Sequence, residues 1–168
     1  MTTDITESDV YERLIGACIR FVSFRPRSGK EITDFITRKL KTGHTTAPLV
    51  VRKVLERLTE LAYVDDVAFA SWWVSQRTGR KPKGARVIHQ ELLQKGIPPE
   101  IIDEAIRVGM KDERSELTLA KAAAEKKSGS WSKLPLPERK HKLIQYLLRR
   151  GFASGIVWSV VDEVVGNV

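Results

Sequence analysis

The feature that most constrains this chain is a segment that occurs three times, an amphipathic run that ends in glycine. Gly43, Gly96 and Gly151 are 53 and 55 residues apart, and each follows a leucine by three positions and another apolar residue by eight. That spacing is typical of a helix, and the glycine is typical of a helix end in the left-handed conformation. We therefore predict three similar repeats. Their predicted bounds are residues 1–62, 63–110 and 111–168.

Each repeat is predicted to contain three helices. An amphipathic run precedes every glycine-closed helix, and another helical stripe follows it, as at Val157, Val160 and Val161 near the end of the chain. The valine spacing of one and three outweighs the strand preference of valine. A basic link rich in glycine and proline joins the first and second helices of each repeat. The sequence therefore predicts an all-α fold of three tandem three-helix repeats, about nine helices, stacked into an elongated curved array.

The charge pattern follows the same repeat. The net charge is +8, and it is concentrated in three blocks. Residues 20–53 carry nine Lys and Arg against two acids, residues 77–95 carry six against one, and residues 126–150 carry eight against one. A basic surface that recurs in each repeat indicates a polyanionic partner such as a nucleic acid or a nucleoprotein.

Several classes of protein are disfavoured by the sequence. The single cysteine, Cys18, lies in an apolar stretch, which predicts a buried, reduced thiol and a cytoplasmic location. No signal peptide is recognisable, and no window approaches the roughly 18 apolar residues of a membrane span. The histidines lie in different repeats without cysteine partners, and no phosphate loop or nucleophile–base motif occurs. We therefore expect no membrane association, metal, cofactor or enzymatic activity.

Two segments of the central repeat form a distinctive motif. One is Tyr-Val-Asp-Asp-Val-Ala-Phe-Ala at residues 63–70, and the other is Lys-Gly-Ala-Arg-Val-Ile-His-Gln-Glu-Leu-Leu-Gln-Lys-Gly-Ile at residues 83–97. Together they resemble the RecX family of bacterial regulators of the RecA recombinase. The spacing from the double Asp to Phe-Ala, then to Lys-Gly and to Lys-Gly-Ile, carries the resemblance. It extends through the flanks and covers the chain from about residue 10 to its end.

The resemblance implies a function as well as a fold. RecX-like proteins are three tandem three-helix repeats that bind the groove of the RecA-DNA filament and inhibit strand exchange, ATP hydrolysis or filament growth. The chain is accordingly expected to be a monomeric inhibitor of the RecA nucleoprotein filament in recombination, DNA repair and the SOS response. Weak binding to single- and double-stranded DNA is expected as well. Composition by itself leaves the sign of the effect on the filament open.

The candidate binding residues are the basic side chains of the three links and closed helices, together with one tryptophan. They are Arg25, Arg27, Lys30, Arg38, Arg77, Arg80, Lys81, Lys83, Arg86, Lys126, Lys127, Trp131, Arg149 and Arg150. The residues of the structural motif are Asp65, Asp66, Phe69, Gly84, Gly96 and Gly151. The central basic block has no acidic partner at four-residue spacing, and Glu91 is distant along the chain. Such a block either solubilises the protein or binds its partner.

Two motifs have a structural interpretation beside a functional one. Asp65 and Asp66 could hold a cation, but an acid pair before a helix is better interpreted as a cap of its N-terminus. Trp72 and Trp73 point about 100° apart on a helix, so only one of them can be central in the core. We expect this to be Trp73.

The other tryptophans have different expected positions. Trp72 could lie at a repeat junction, at the partner surface or against a base. Trp131, in a basic link, is a candidate for contact with a partner. Trp158 lies between core valines and is expected to complete their packing.

Two further functions remain open from the residues alone. The first is a free-standing, sequence-nonspecific nucleic-acid-binding protein in which each repeat inserts a basic helix into a groove. The third helices are acidic or apolar, however, so they suit base recognition poorly. The second is a protein-docking scaffold whose basic surface is incidental, and its binding would survive removal of DNA.

Overall fold

The computed structural model describes residues 7–42, 48–111 and 115–166, and these ranges contain helices joined by short links, without a strand. They comprise nine α-helices and one short 3-10 turn at Gly129–Trp131. The α-helices are α1 (Glu7–Ser23), α2 (Gly29–Thr42), α3 (Pro48–Glu60), α4 (Asp66–Arg77), α5 (Ala85–Gln94), α6 (Pro99–Gly109), α7 (Glu116–Ser128), α8 (Leu136–Arg149) and α9 (Ser154–Gly166). The all-α prediction is confirmed, with three helices for each repeat. Within these ranges every helix is too short or too polar to span a bilayer.

The glycines that end α5 and α8 adopt the predicted left-handed conformation. Gly96 has φ +77° and Gly151 has φ +86°, which residues with a Cβ rarely adopt. The Phe152 amide donates to the Leu147 carbonyl oxygen at 3.3 Å, and Ile97 and Phe152 are both buried. These are the hydrogen bond and the apolar contact that such a helix end requires. The corresponding prediction for Gly43 falls outside the described residues.

Polar side chains begin the first helices of the second and third repeats. Asp65 Oδ1 accepts hydrogen bonds from the amides of Val67 and Ala68, both at 2.9 Å, which confirms its capping role. Ser115 Oγ accepts from the Thr118 amide at 3.3 Å in front of α7. Because the first amides of a helix lack a partner within the helix, these oxygens stabilise α4 and α7.

The described contacts divide the chain into two compact units. Unit 1 comprises Met1–Phe69 and Lys95–Ile97, and unit 2 comprises Ala70–Gln94 and Pro98–Val168. The core of unit 1 lies between α1, α2 and α3 and includes Cys18, which is fully buried. Burial raises the pKa of the Cys18 thiol to about 11, so this cysteine stays protonated, as its apolar surroundings predict. The bounds of the three repeats remain a prediction.

The core of unit 2 includes the third repeat, where α7, α8 and α9 pack together. Trp73 is buried as predicted, and Trp72 is half-buried beside it. The prediction for Trp158 is wrong, because 57% of its surface is exposed. Its neighbours Val157 and Val161 face the core, and a residue next to a core position on a helix points about 100° away. Because the residues around Trp158 are nearly all apolar, the sequence does not show which of them face the core and which face solvent.

Candidate functional site

An acidic side chain at the start of one repeat binds the middle helix of the repeat before it. In unit 1, Asp66 Oδ1 accepts from the Gly29 amide at 2.9 Å, at the first residue of α2. In unit 2, Glu116 Oε1 accepts from the Ala85 amide at 3.4 Å and from the Ala153 amide at 3.1 Å. The second aspartate of the motif therefore caps a neighbouring helix, and Glu116 has the same role in the third repeat. The sequence predicted Asp66 only as a cap of its own helix. It did not reveal Glu116, because Ser115-Glu116 stands in the third repeat where the second has the double Asp.

A second interaction also recurs, between the start of a middle helix and the end of the next middle helix. Ser28 Oγ donates to the Lys95 carbonyl oxygen at 2.7 Å in unit 1. The Gly84 amide donates to the Arg150 carbonyl oxygen at 2.9 Å in unit 2. Lys95 and Arg150 each precede the glycine that closes their helix, so the positive end of one helix meets the negative end of another.

The first basic block surrounds a carboxylate. In unit 1, Glu31 Oε1 lies 2.8 Å from Arg25 Nη2 and 2.8 Å from Lys95 Nζ, and only 15% of the Glu31 side chain is exposed. Burial alone would raise the pKa of Glu31, but the hydrogen bonds and positive charges of Arg25 and Lys95 lower it to about 2. The link between α1 and α2 is thus stabilised by a partly buried ion-pair network that the sequence did not predict.

The other candidates of the first block contact the protein as well. The Arg27 guanidinium lies 3.8 Å from the centre of the Phe21 ring, and its Nε donates to the Phe21 carbonyl oxygen. Lys30 pairs with Asp34 at 2.8 Å on the exposed face of α2. Arg38 lies on the same helix and is exposed. The block therefore has fewer cations available to a partner than its composition indicates.

Glu91 is the centre of a polar network in the second repeat. Its Oε2 accepts from Trp73 Nε1 at 2.9 Å and from Arg77 Nε at 2.7 Å, and its Oε1 contacts Lys83 Nζ. Burial opposes ionisation of Glu91, but the hydrogen bonds from Lys83, Arg77 and Trp73 lower its pKa. Glu91 is distant from most of the central block along the chain, and the tertiary structure brings its carboxylate to Trp73, Arg77 and Lys83.

The structure brings one residue of the third repeat to the central basic block. Arg150 lines a cleft of about 430 Å³ together with residues of α4 and the following link. This feature, called here the basic cleft, is lined by Gln76, Arg77, Arg80, Lys81, Lys83 and Arg150. Arg80 and Lys81 are exposed, whereas Arg77 and Lys83 are held by Glu91. The cleft can bind an anion by charge and by hydrogen bonds from guanidinium groups.

The remaining candidates of the second and third repeats do not line the basic cleft. Lys126 and Arg149 are exposed, and the Arg86 guanidinium donates to the Leu148 carbonyl oxygen at 3.2 Å. Lys127 Nζ lies 5.0 Å from the centre of the Trp131 ring. Trp131 itself packs edge-on against Tyr146, with ring centres 6.2 Å apart, and is half-buried. Packing against Tyr146 therefore covers part of the Trp131 side chain, so less of it is accessible to a partner than its position in a basic link suggests.

Comparison with known families identifies two of the three repeats. Residues 65–106 match the sequence model of the second three-helix domain of RecX, and residues 115–161 match that of the third. Both matches begin at the caps of α4 and α7. Each matched segment lies within one predicted repeat, the second or the third.

Individual proteins similar to this chain have the same description. Regulatory protein RecX of Prosthecochloris aestuarii is 32% identical over 97% of this chain and all of that protein. Regulatory protein RecX of Thermobifida fusca is 28% identical over 92% of this chain and 80% of that protein. Regulatory protein RecX of Oceanobacillus iheyensis is 28% identical, and the match covers 97% of this chain but 57% of that longer protein.

Two solved structures are also similar. The crystal structure of RecX from Lactobacillus salivarius has a TM-score of 0.78 at 24% identity, covering 94% of this chain and 97% of that one, and supports the fold. The crystal structure of a regulatory protein RecX has a TM-score of 0.74 at 27% identity, covering 96% of this chain and 73% of that one.

Proposed function

Because this chain belongs to the RecX family of regulatory proteins, we propose that it inhibits the RecA recombinase by binding in the groove of the RecA-DNA filament. The family supports a regulatory role, and the partner follows from the resemblance described above. Within the structure, the basic cleft carries the proposal. It gathers cations from two repeats at one place, where they can contact the phosphates of filament DNA.

We expect RecA-catalysed, single-stranded-DNA-dependent ATP hydrolysis to fall when this protein is added. The fall should occur at ratios and salt concentrations where the protein barely binds naked DNA, because the filament offers protein contacts in addition to phosphates. The measurement is a titration of ATP hydrolysis, from sub-stoichiometric to stoichiometric ratios, beside fluorescence anisotropy with the same DNA.

Two other results would contradict the proposal. Hydrolysis that changes only when the protein coats the DNA would identify a general nucleic-acid-binding protein. Binding to RecA that persists without DNA, and without any change in hydrolysis, would identify a docking scaffold.

Neutralising two exposed cations of the basic cleft is expected to weaken filament binding and flatten its salt dependence. The variant combines Arg80→Gln with Lys81→Gln, and Lys83 is left intact because it pairs with Glu91. The slope of log affinity against log salt should fall by about 0.7 for each phosphate of single-stranded DNA that the variant no longer neutralises. The melting temperature should not change, because both side chains are exposed.

The matched control replaces two exposed lysines outside the candidate set, Lys111→Gln with Lys142→Gln. It removes the same charge from the same unit but leaves the basic cleft intact. Equal salt slopes for the two variants would show that only net charge matters, and this would contradict a localised phosphate contact.

A further inference from the structure

The links of the first two repeats correspond residue by residue. Residues 25–31 read Arg-Pro-Arg-Ser-Gly-Lys-Glu, and residues 81–87 read Lys-Pro-Lys-Gly-Ala-Arg-Val. The helix-end residues Lys95 and Arg150 correspond as well, since each precedes a left-handed glycine and accepts a hydrogen bond from the link through its carbonyl oxygen. Equivalent cations therefore lie at two junctions between repeats, Arg25 with Lys95 at the first and Lys81 with Arg150 at the second.

The correspondence ends at the residue between these cations. In the first repeat, the Glu31 carboxylate bridges Arg25 and Lys95. In the second repeat, the equivalent residue is Val87, which cannot carry a negative charge and packs against the backbone of Gly151. Val87 therefore does not give Lys81 and Arg150 the carboxylate that Glu31 gives Arg25 and Lys95, and both cations line the basic cleft.

Arg150 is positioned to bind an anion. Its Nε donates to the Pro82 carbonyl oxygen at 2.6 Å, and its own carbonyl oxygen accepts from Gly84, so both ends of the residue are fixed. Its Nη2 is buried and donates to no acceptor among the described residues. Leaving a buried donor of a charged group without an acceptor is energetically unfavourable. An anion in the cleft would provide that acceptor.

The charge of the cleft is strongly positive even after its internal pairing. Five of its lining residues are cations, and Glu91 is the carboxylate that contacts two of them, Arg77 and Lys83. Arg80, Lys81 and Arg150 remain to bind an external ligand. Three cations around one site, two of them arginines with planar donor groups, suit the several oxygens of a phosphate better than a single carboxylate.

We propose that the basic cleft binds one phosphate group of a DNA backbone, in the position that the Glu31 carboxylate occupies in the first repeat. The first repeat thus contains a built-in anion, and the second takes its anion from the partner. This inference rests on the proposed function for the source of the phosphate, but the site itself can be tested without RecA or DNA.

The test converts the second repeat to the arrangement of the first with Val87→Glu. Inorganic phosphate is titrated into the free protein while the amide of Gly84 and the Nε–H of Arg150 are followed by ¹H–¹⁵N NMR. We expect saturable shifts in the unchanged protein and their loss in Val87→Glu, whose carboxylate would occupy the cleft. Val87→Gln, which has the same shape but no charge, should retain the phosphate response.

One control variant and one substitute for the test variant complete the experiment. Gln90→Glu adds the same charge at an exposed position of α5 and should leave phosphate binding unchanged. If Val87→Glu fails to fold, Lys81→Gln replaces it and should weaken phosphate binding severalfold. Absence of saturable shifts in the unchanged protein, or an unaltered response in the folded variant, would overturn the site.

A second measurement tests the source of the phosphate. The salt slope of binding to a single-stranded oligonucleotide should fall by about 0.7 in Val87→Glu, as expected when one phosphate fewer is neutralised, but not in Val87→Gln or Gln90→Glu. An unchanged slope together with abolished phosphate binding would assign the cleft to a free anion and refute the DNA contact. Failure of the proposed function would instead appear as unchanged RecA ATP hydrolysis with the unsubstituted protein.

Discussion

Replacing Gly84 by alanine is expected to destabilise unit 2 by about 3 kcal/mol or more. A Cβ at this position would lie 2.2 Å from the Gly151 carbonyl oxygen and 2.3 Å from the Phe152 amide nitrogen. Both are backbone atoms at the end of α8, so no side-chain rotation can relieve the overlap. The two backbone segments would have to separate, which would also break the hydrogen bond from Gly84 to Arg150.

Urea unfolding followed by tryptophan fluorescence measures this effect, because all four tryptophans lie in unit 2. Gly155→Ala is the matched control in the same unit, since a Cβ there meets nothing within 4 Å. Gly155 is in α9, where alanine should stabilise the helix by about 0.5–1 kcal/mol. Equal stability of Gly84→Ala and the unsubstituted protein would mean that the junction between the second and third repeats is looser than described.

The second large effect is expected at Glu31, whose ionisation stabilises unit 1. A pKa lowered from 4.5 to about 2 corresponds to about 3 kcal/mol. Because the folded state has the lower pKa, this stabilisation is fully present above pH 4.5 and is lost as the pH falls towards 2. Glu31→Gln should therefore cost about 2–3 kcal/mol at neutral pH, and its stability should converge with that of the unsubstituted protein in acid.

Hydrogen exchange of unit 1 amides, measured across this pH range, reports the difference between the two proteins. Glu60→Gln provides the control, because Glu60 pairs with Arg57 on an exposed helix face with 65% of its side chain accessible. Exposed pairs of this kind contribute little to stability. A difference between Glu31→Gln and the unsubstituted protein that stayed constant from neutral pH to pH 2 would contradict the assignment of the ion pair.

The helices and their ends could be predicted because their determinants are local. A glycine three residues after a leucine is sufficient to predict the left-handed ends at Gly96 and Gly151. An aspartate before a helical stripe is sufficient to predict the cap at Asp65. In each case the interacting atoms are within a few residues of one another, so the spacing in the sequence specifies the contact.

The candidate site could be predicted only as a set of charges. The sequence indicates three basic blocks, but it does not show that Glu31 neutralises part of the first or that Glu91 lies among the second. Arg25 and Lys95 are far apart in the chain, and their common carboxylate is found only when the helix ends meet. Trp158 shows the same limit for apolar residues, because a helix rich in valine does not reveal which side faces the core.

By itself the sequence determined the fold class, the threefold repeat, the two described left-handed helix ends and the similarity to the RecX family. Each of these depends on short-range periodicity or on motif spacing. Only the tertiary structure decided which cations are paired, why Gly84 must lack a Cβ, and that Arg150 joins the second repeat's basic link. The reason is physical: charge pairing and close backbone approach depend on distances between elements of different repeats, and no local pattern encodes those distances.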